Sequence, residues 1–447
     1  MLPIYDLNTT AGRTGLDACL ARLRDTASAS GDAAQTVAEV MADVRARGDA
    51  ALVAYMQKWT DPAFDAARIR VTAQELGAAD AALSGPLRKA IQRAIANVRA
   101  YQEHVMPPDT QAVTIGGAEL GMRWTAVDKV GLCVPGGTAV LFSTLVMLAV
   151  PALVAGVAPQ NIHVMSPPPT AGAAAAGKNS GGGDDISPIV LATCKTLGIE
   201  NVYRIGGAQG VAALGLGTKS VPQVDLIVGP GNVFVQLAKA QLGAACGTDN
   251  GFYGPSEIVT VADASANPAY VAADLIAQAE HNPGKCFLVA WDRAVIDRVV
   301  SEVTAQLRER GRIDAIENAL RQESCAALAR DEAHAVEIAN AFAAEHVNLA
   351  VADPRKMGEE IRHAGEVFLG DQTPVAAGDY YAGPSHCLPT GTTARFASGV
   401  SVYTFLKRTG TVAYPEGMSA QAIADIAAMA EAEGLDGHAA SARVRGG

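Results

Sequence analysis

In the stretch LIAQAEHNPG (275–284), Gln278 and His281 stand three residues apart. On a helix that spacing puts an amide and an imidazole on one face, where they suit metal ligation. The same pair also suits a polar helix end, because a helix C-terminus favours imidazole. A second pair, Glu345 and His346, lies in AAEHVNLAV (343–351), where a helical pattern gives way to a strand. An imidazole titrates near neutral pH, so a histidine beside a carboxylate suits proton transfer. Its place between helix and strand predicts the carboxyl side of an α/β unit. AGDYYAGPSHCLPTG (377–391) carries Asp379 and His386 among turn residues, and EGLDGHA (433–439) carries Glu433 and His438. Taken singly, each histidine reads as a cap or a satisfied surface residue. With only eight histidines in the chain, four polar clusters at loop or helix ends weigh towards a site. Composition alone does not show that they converge.

The elements that must position these groups are legible as periodicity. Residues 14–107 read as helical, with apolar residues at three- and four-residue spacing in TVAEVMADV (36–44) and AIQRAIANV (90–98). From residue 130 short strands alternate with helices: VGLCV (130–134), IHVM (162–165), NVYRI (201–205) and VDLIV (224–228). The alternation restarts with EIVTVAD (257–263), CFLVAW (286–291), CAALA (325–329), VNLAV (347–351) and EVFLG (366–370). Strands alternating with helices imply βαβ units and parallel sheets. The expected organisation is an N-terminal helical segment (1–129) packing with the second α/β unit, a first unit (130–253), a second (254–377) and a tail (378–447). Glycine-rich turns follow strands at VPGGT (134–138), IGGAQG (205–210) and VGPGN (228–232). They stand where a βα loop meets a ligand. None is a full G-x-G-x-x-G, and glycines also serve tight strand-to-helix turns.

The 447 residues allow two or three domains with real cores. A net charge of −11 argues against nucleic acid as a partner, since neutralising phosphates needs a basic patch. The N-terminus lacks a basic region followed by an apolar one, so no secretory signal is visible. The apolar run LFSTLVMLAVPALVAGVAP (141–159) is broken by Ser143, Thr144 and Pro151, and reads as a buried helix and turn rather than a membrane span. Seven cysteines without a C-x-x-C pair suggest reduced, mostly buried thiols and a cytoplasmic location. The Gly/Ala-rich stretch 170–185 reads as a flexible surface insertion.

Taken in order, VGLCVPGGTAVLFSTLVMLAVPALVAGV, IGGAQGVAALGLGT, VDLIVGPGNVFV, GPSE, QAEH, AEHVNLAV, GDYYAGPSHCLPTGTTARFASG and AEAEGLDGH resemble the histidinol dehydrogenase family, from about residue 36 to the C-terminus. The resemblance implies two incomplete Rossmann-like domains in an intertwined homodimer. It implies oxidation of L-histidinol to L-histidine through the aldehyde, in two NAD-dependent steps with one zinc ion. Carried over by position, the zinc ligands are Gln278, His281, Asp379 and His438. His346 is the general base for the alcohol, and Glu345 activates water for the aldehyde. Ser256, His386 and Glu433 contact substrate; Cys133, Gln209 and Asn232 stand at NAD contacts. Glu433 and His438, on the exchanged tail, serve the partner's site.

The chain departs from the family pattern in several places. Cys133 replaces a tyrosine that contacts NAD, and Leu226 replaces a lysine. GFY (251–253) precedes GPSE in place of an aspartate and small residues, and SVYTF (401–405) replaces S-V-D-D-F. These changes leave open a paralogue that oxidises another small alcohol, such as a sulfonated propanediol. A non-catalytic zinc- or nucleotide-binding protein on the same scaffold is the remaining alternative.

Overall fold

The computed structural model describes residues 2–27, 31–108, 110–136, 141–169, 185–281 and 284–446. The expected insertion therefore lies outside the described residues except for Asp185, as do Asn282 and Pro283.

The chain opens with strand β1 (Ile4–Asp6), then helices α1 (Thr10–Ala27), α2 (Asp32–Arg47), α3 (Asp49–Trp59), α4 (Ala73–Ala82) and α5 (Gly85–His104). A hairpin of β2 (Val113–Ile115) and β3 (Ala118–Ala126) leads into the first βα series. This runs β4 (Val130–Cys133), α6 (Phe142–Ala155), β5 (Ile162–Met165), α7 (Pro188–Thr196), β6 (Asn201–Tyr203), α8 (Gly207–Leu216), β7 (Leu226–Val228), α9 (Val233–Leu242) and β8 (Gly247–Thr248). The second series runs β9 (Glu257–Ala262), α10 (Pro268–Ala279), β10 (Lys285–Ala290), α11 (Arg293–Leu307), α12 (Ile313–Asn318), β11 (Cys325–Leu328), α13 (Glu332–Phe342), β12 (His346–Ala350), α14 (Pro354–Glu360) and β13 (Glu366–Leu369). The tail holds α15 (Val375–Tyr380), β14 (Leu406–Ala413), α16 (Ala420–Ala432) and α17 (Asp436–Arg443).

Two parallel sheets result. The first has the order β6-β5-β4-β7-β8, and the second β1-β11-β10-β9-β12-β13. In each, the series starts mid-sheet, grows outward on one side, then crosses to the other. Every residue of β4, β5, β9, β10 and β12 is buried. Helices cover both faces, so these strands read as near-continuous apolar runs without alternation. A small antiparallel sheet, β14-β3-β2, ties the tail to the segment before β4.

Two expectations need correction. Of the N-terminal helices only α1 packs on the second sheet, through Leu16, Cys19, Leu20 and Leu23. Val37, Val40, Met41 and Val44 of α2 and Leu52 and Met56 of α3 pack beneath the first sheet. Leu76 and Val98 of α4 and α5 join its other core. Periodicity shows that a helix has an apolar stripe but not which sheet covers it. Strands β1, β2, β3 and β14 were also not expected. β1 is three residues long, and β14 is exposed along almost its whole length, so neither has an apolar pattern to read. The 141–159 run is the buried helix α6, ended by Gly156 in the left-handed conformation. No described helix is long and apolar enough to cross a membrane. All seven thiols are free and buried.

Candidate active site

The Glu345–His346 pair lies at the amino end of the second sheet, not at its carboxyl side. His346 is the first residue of β12, in register with Ile258 of β9 and Glu366 of β13. The reason is the winding of the chain. Each helix runs back against its strand and delivers its C-terminal residues to the edge where the next strand begins. Helix α10 does this for Gln278 and His281, α13 for Glu345 and His346, and α15 for Asp379. Helix α10 starts at Asn267, whose side chain caps Ala269 N–H, with Pro268 at its first position. Its Val271, Leu275, Ile276 and Ala279 face the core, which leaves Asp274 and Gln278 one turn apart on a buried polar face. Gly284 closes the turn into β10, where a Cβ would stand 1.9 Å from the Gln278 carbonyl oxygen.

The polar groups converge as follows. His346 Nδ1 lies 3.2 Å from the Glu257 carbonyl and 3.6 Å from Glu345 Oε2, and its Nε2 lies 3.9 Å from Asp379 Oδ1. A carbonyl only accepts, so Nδ1 carries the hydrogen and Nε2 keeps its lone pair. That Nε2 is buried without a hydrogen-bond partner. Burial holds the His346 pKa down to about 4, against the upward pull of Asp379. The ring is therefore neutral at neutral pH, with an open basic nitrogen. His386 differs. Its Nδ1 donates to the Asp379 carbonyl at 2.8 Å, and its Nε2 accepts from the Thr144 hydroxyl at 3.1 Å. Both its nitrogens are engaged, and it links α6 of the first unit to the tail. His281 stands near enough to depress His346 and His386 by charge repulsion.

Glu345 accepts from Glu257 N–H at 2.9 Å and from the Ser256 hydroxyl. Burial, then the charges of Glu257 and Asp379, still push its pKa well above the carboxylate range. Asp274 is raised to about 6 and Glu366 to about 7, each by burial and then by Asp379. This many carboxyl groups packed together, with Glu366 Oε2 unpartnered, fit a cation held among them. The donor set of amide oxygen, imidazole nitrogen and carboxylate oxygen suits zinc. Among the described residues no three His, Cys, Asp or Glu side chains gather closely enough to hold a metal on their own. One expected ligand is an amide, and another, His438, is exposed on α17 with Glu433 exposed nearby. Among the described residues no hydrogen bond or ion pair ties His438 or Glu433 to the site.

The described glycine turns 205–210 and 228–232 follow β6 and β7 at the carboxyl end of the first sheet. Gly231 N–H donates to the Tyr253 carbonyl at 3.3 Å. Gly229 has a φ of 115°, and a Cβ there would stand 2.6 Å from the Cys133 carbonyl oxygen. Beneath it, Lys239 bonds Asp249 at 2.5 Å and the Gly229 carbonyl at 2.9 Å, and Asp249 accepts from Gly229 N–H. The expected cofactor residues differ in placement. Cys133 is buried in the core with Met165 and Tyr203, so its thiol is no open contact. Gln209 is buried against Met56. Asn232 is exposed and caps α9 by accepting from Phe234 and Val235 N–H. Sequence reasoning missed Thr144, Glu257, Asp274 and Glu366. Only Glu257 carried a signal, as the last residue of GPSE.

Two parallel sheets covered by helices, with a buried imidazole and a raised carboxyl at the amino end of the second, define an α/β protein with a site suited to proton transfer. Comparison with known proteins gives the family. Residues 23–446 match the histidinol dehydrogenase family. The chain is 42% identical over 412 residues to a histidinol dehydrogenase of Rhodopirellula baltica, covering 92% of this chain and 86% of the relative. It is 40% identical over 411 residues to one from a Synechococcus strain, covering 92% and 91%. The crystal structure of histidinol dehydrogenase from Elizabethkingia anophelis superposes with a TM-score of 0.87 at 31% identity, covering 99% of this chain and 98% of that one. The chain belongs to the histidinol dehydrogenase family.

Proposed function

We propose that this protein oxidises L-histidinol to L-histidine through L-histidinaldehyde, with NAD as hydride acceptor and one zinc ion per subunit. The observation that carries the reading is His346 Nε2: buried, unprotonated, without a partner and beside Asp379, with Glu345 at the ring's other nitrogen. In the first step Nε2 takes the alcohol proton as hydride leaves the carbinol carbon. In the second, Glu345 takes a proton from the water that adds to the aldehyde. A carboxylate with a raised pKa is the stronger base for that task. Gln278, His281 and Asp379 would hold the zinc, with the partner subunit's His438 as fourth ligand. Zinc held by these residues would anchor the imidazole and amine of the substrate and offset the charge of the clustered carboxylates. Ser256 and His386 line the substrate side, with the partner subunit's Glu433 opposite.

The dimer finds support in the tail. Met429 is 63% exposed, Val412 70% and Val444 76%. Apolar side chains this open on an arm suit burial against a second copy. NAD would lie at the carboxyl end of the first sheet, where the strand order reverses between β4 and β7. Gln209 and Asn232, which follow β6 and β7, would contact it. The two Rossmann-like domains are supported by the matching strand orders, and a cytoplasmic location by the seven reduced thiols.

Of the substitutions that suggested another alcohol, Cys133, Leu226 and Tyr253 fall in the interior, whereas Tyr403 is 48% exposed. Tyr253 is buried, with its hydroxyl donating to the Ser398 carbonyl and its ring against Lys239. Cys133 is likewise in the core. Neither presents a new surface to substrate, which favours histidinol. The test is NADH formation from L-histidinol, with and without a chelator and re-added zinc. Chelator-sensitive release of two NADH per substrate is expected. No turnover in zinc-loaded protein would overturn the assignment.

A further inference from the structure

Glu257 opens β9 and makes three separate contacts to the site. Its N–H donates to Glu345 Oε2 at 2.9 Å, and its carbonyl accepts from His346 Nδ1 at 3.2 Å. Its own carboxyl oxygen Oε1 accepts from Gly391 N–H at 2.9 Å. The side chain is wholly buried, and Oε2 has no hydrogen-bond partner. Burial raises the carboxyl to about 7, against the pull of Lys285, its register partner on β10. A buried carboxyl is costly, and neither the start of a strand nor an apolar core requires one.

Its contact with Gly391 accounts for it. Gly391 belongs to the loop that follows His386. The same loop grips the residues just before Glu257: Thr390 N–H donates to the Phe252 carbonyl at 2.7 Å, and Gly254 N–H donates to Thr390 Oγ1 at 2.9 Å. At Gly365 the packing is so close that a Cβ would meet Leu388 at 2.9 Å and the Glu345 carbonyl at 2.5 Å. The loop is thus seated on the strand ends that carry the reacting pair, and the Glu257 carboxyl ties the two together from inside.

We propose that Glu257 is the positioning residue of the site: its buried carboxyl, latched to the Gly391 amide, holds the peptide groups on either side of it where they aim the Glu345 carboxyl and set the His346 tautomer. This rests on the reading of His346 and Glu345 given above, but its central test does not need substrate. Histidine labelled with 15N reports the tautomer of His346 by NMR, with the signal assigned by its loss in His346→Asn. The full-length protein should show the hydrogen on Nδ1. Glu257→Ala should mix the tautomers and lower kcat with L-histidinol at least tenfold, with KM within threefold and zinc content unchanged. Glu257→Gln keeps an oxygen acceptor for Gly391 and should restore the tautomer and most of kcat. A merely structural residue would lower stability without moving the tautomer or separating kcat from KM. Native tautomer and kcat in Glu257→Ala overturn the proposal. So does a folded Glu257→Gln variant that has lost both, which decides the matter if the alanine variant fails to fold. Native protein that shows the Nδ1 tautomer yet leaves L-histidinol untouched would count against the substrate and not against the latch.

Discussion

Replacing His346 by asparagine isolates the proposed base. The asparagine amide can still donate to the Glu257 carbonyl, so the bond now made by Nδ1 has a substitute. What is lost is the free lone pair of Nε2. A positioned general base contributes roughly 10²–10⁴ in rate, or about 2.7–5.4 kcal/mol. His346 is 3% exposed, so bulk solvent is a poor replacement for its ring. Asp379 lies 3.9 Å from Nε2 and offers a partial one. The expected loss in kcat for L-histidinol is therefore mid-range, about 10³-fold or roughly 4 kcal/mol. Oxidation of L-histidinaldehyde supplied directly, which uses Glu345, should fall far less. Both are read by NADH absorbance on protein whose zinc is measured in the same sample. Activity within threefold of the native protein, with zinc in place, would show that His346 is not the base. Loss of zinc would show that it is a ligand.

His438→Ala should strip zinc, and full metal occupancy would remove His438 from the ligand set. Mixing His346→Asn with His438→Ala subunits restores one intact site per heterodimer, about a quarter of native activity after random exchange. No rescue after verified exchange would rule out shared sites. Thr144→Val deletes the hydroxyl that donates to His386 and leaves a buried acceptor unpaired, at about 1–2 kcal/mol. An unchanged kcat/KM for L-histidinol would show that this bond does not hold His386. His163 on β5, 3.0 Å from the Tyr203 hydroxyl, has its pKa lowered to about 4 by burial, then by Lys129 and Arg70. Its ordinary value is 6.5, so its neutral form is favoured by folding. Stability is therefore fully present above about pH 6.5 and is lost as pH falls towards 4, by up to about 3 kcal/mol. His163→Gln should flatten that slope in urea unfolding at pH 4.5 and 7, and parallel slopes would refute the assignment.

The strands of both sheets could be read because they are buried on both faces, which makes runs such as VGLCV and CFLVAW apolar throughout. The edge strand β1 and the arm strand β14 could not, because a strand of three residues, or one exposed along its length, carries no apolar pattern. The reacting pair could be read as a carboxylate beside an imidazole, yet its place at the amino end of the sheet could not. That depends on the direction in which α13 returns the chain. Glu257, Asp274 and Thr144 escaped notice for a related reason. Each acts on a group more than 50 residues away in sequence or through its own backbone, and no spacing encodes such a contact.

The sequence by itself determined the two βα series, the family and the candidates for the reacting groups, because these follow from local periodicity and from motifs read in order. Only the tertiary structure decided which imidazole is free to act as a base. His346 and His386 have the same side chain, and both give Nδ1 to a carbonyl. Thr144 then occupies the second nitrogen of His386, while nothing occupies that of His346. The difference lies in one hydroxyl delivered from 242 residues away, a proximity that folding creates and no local pattern records.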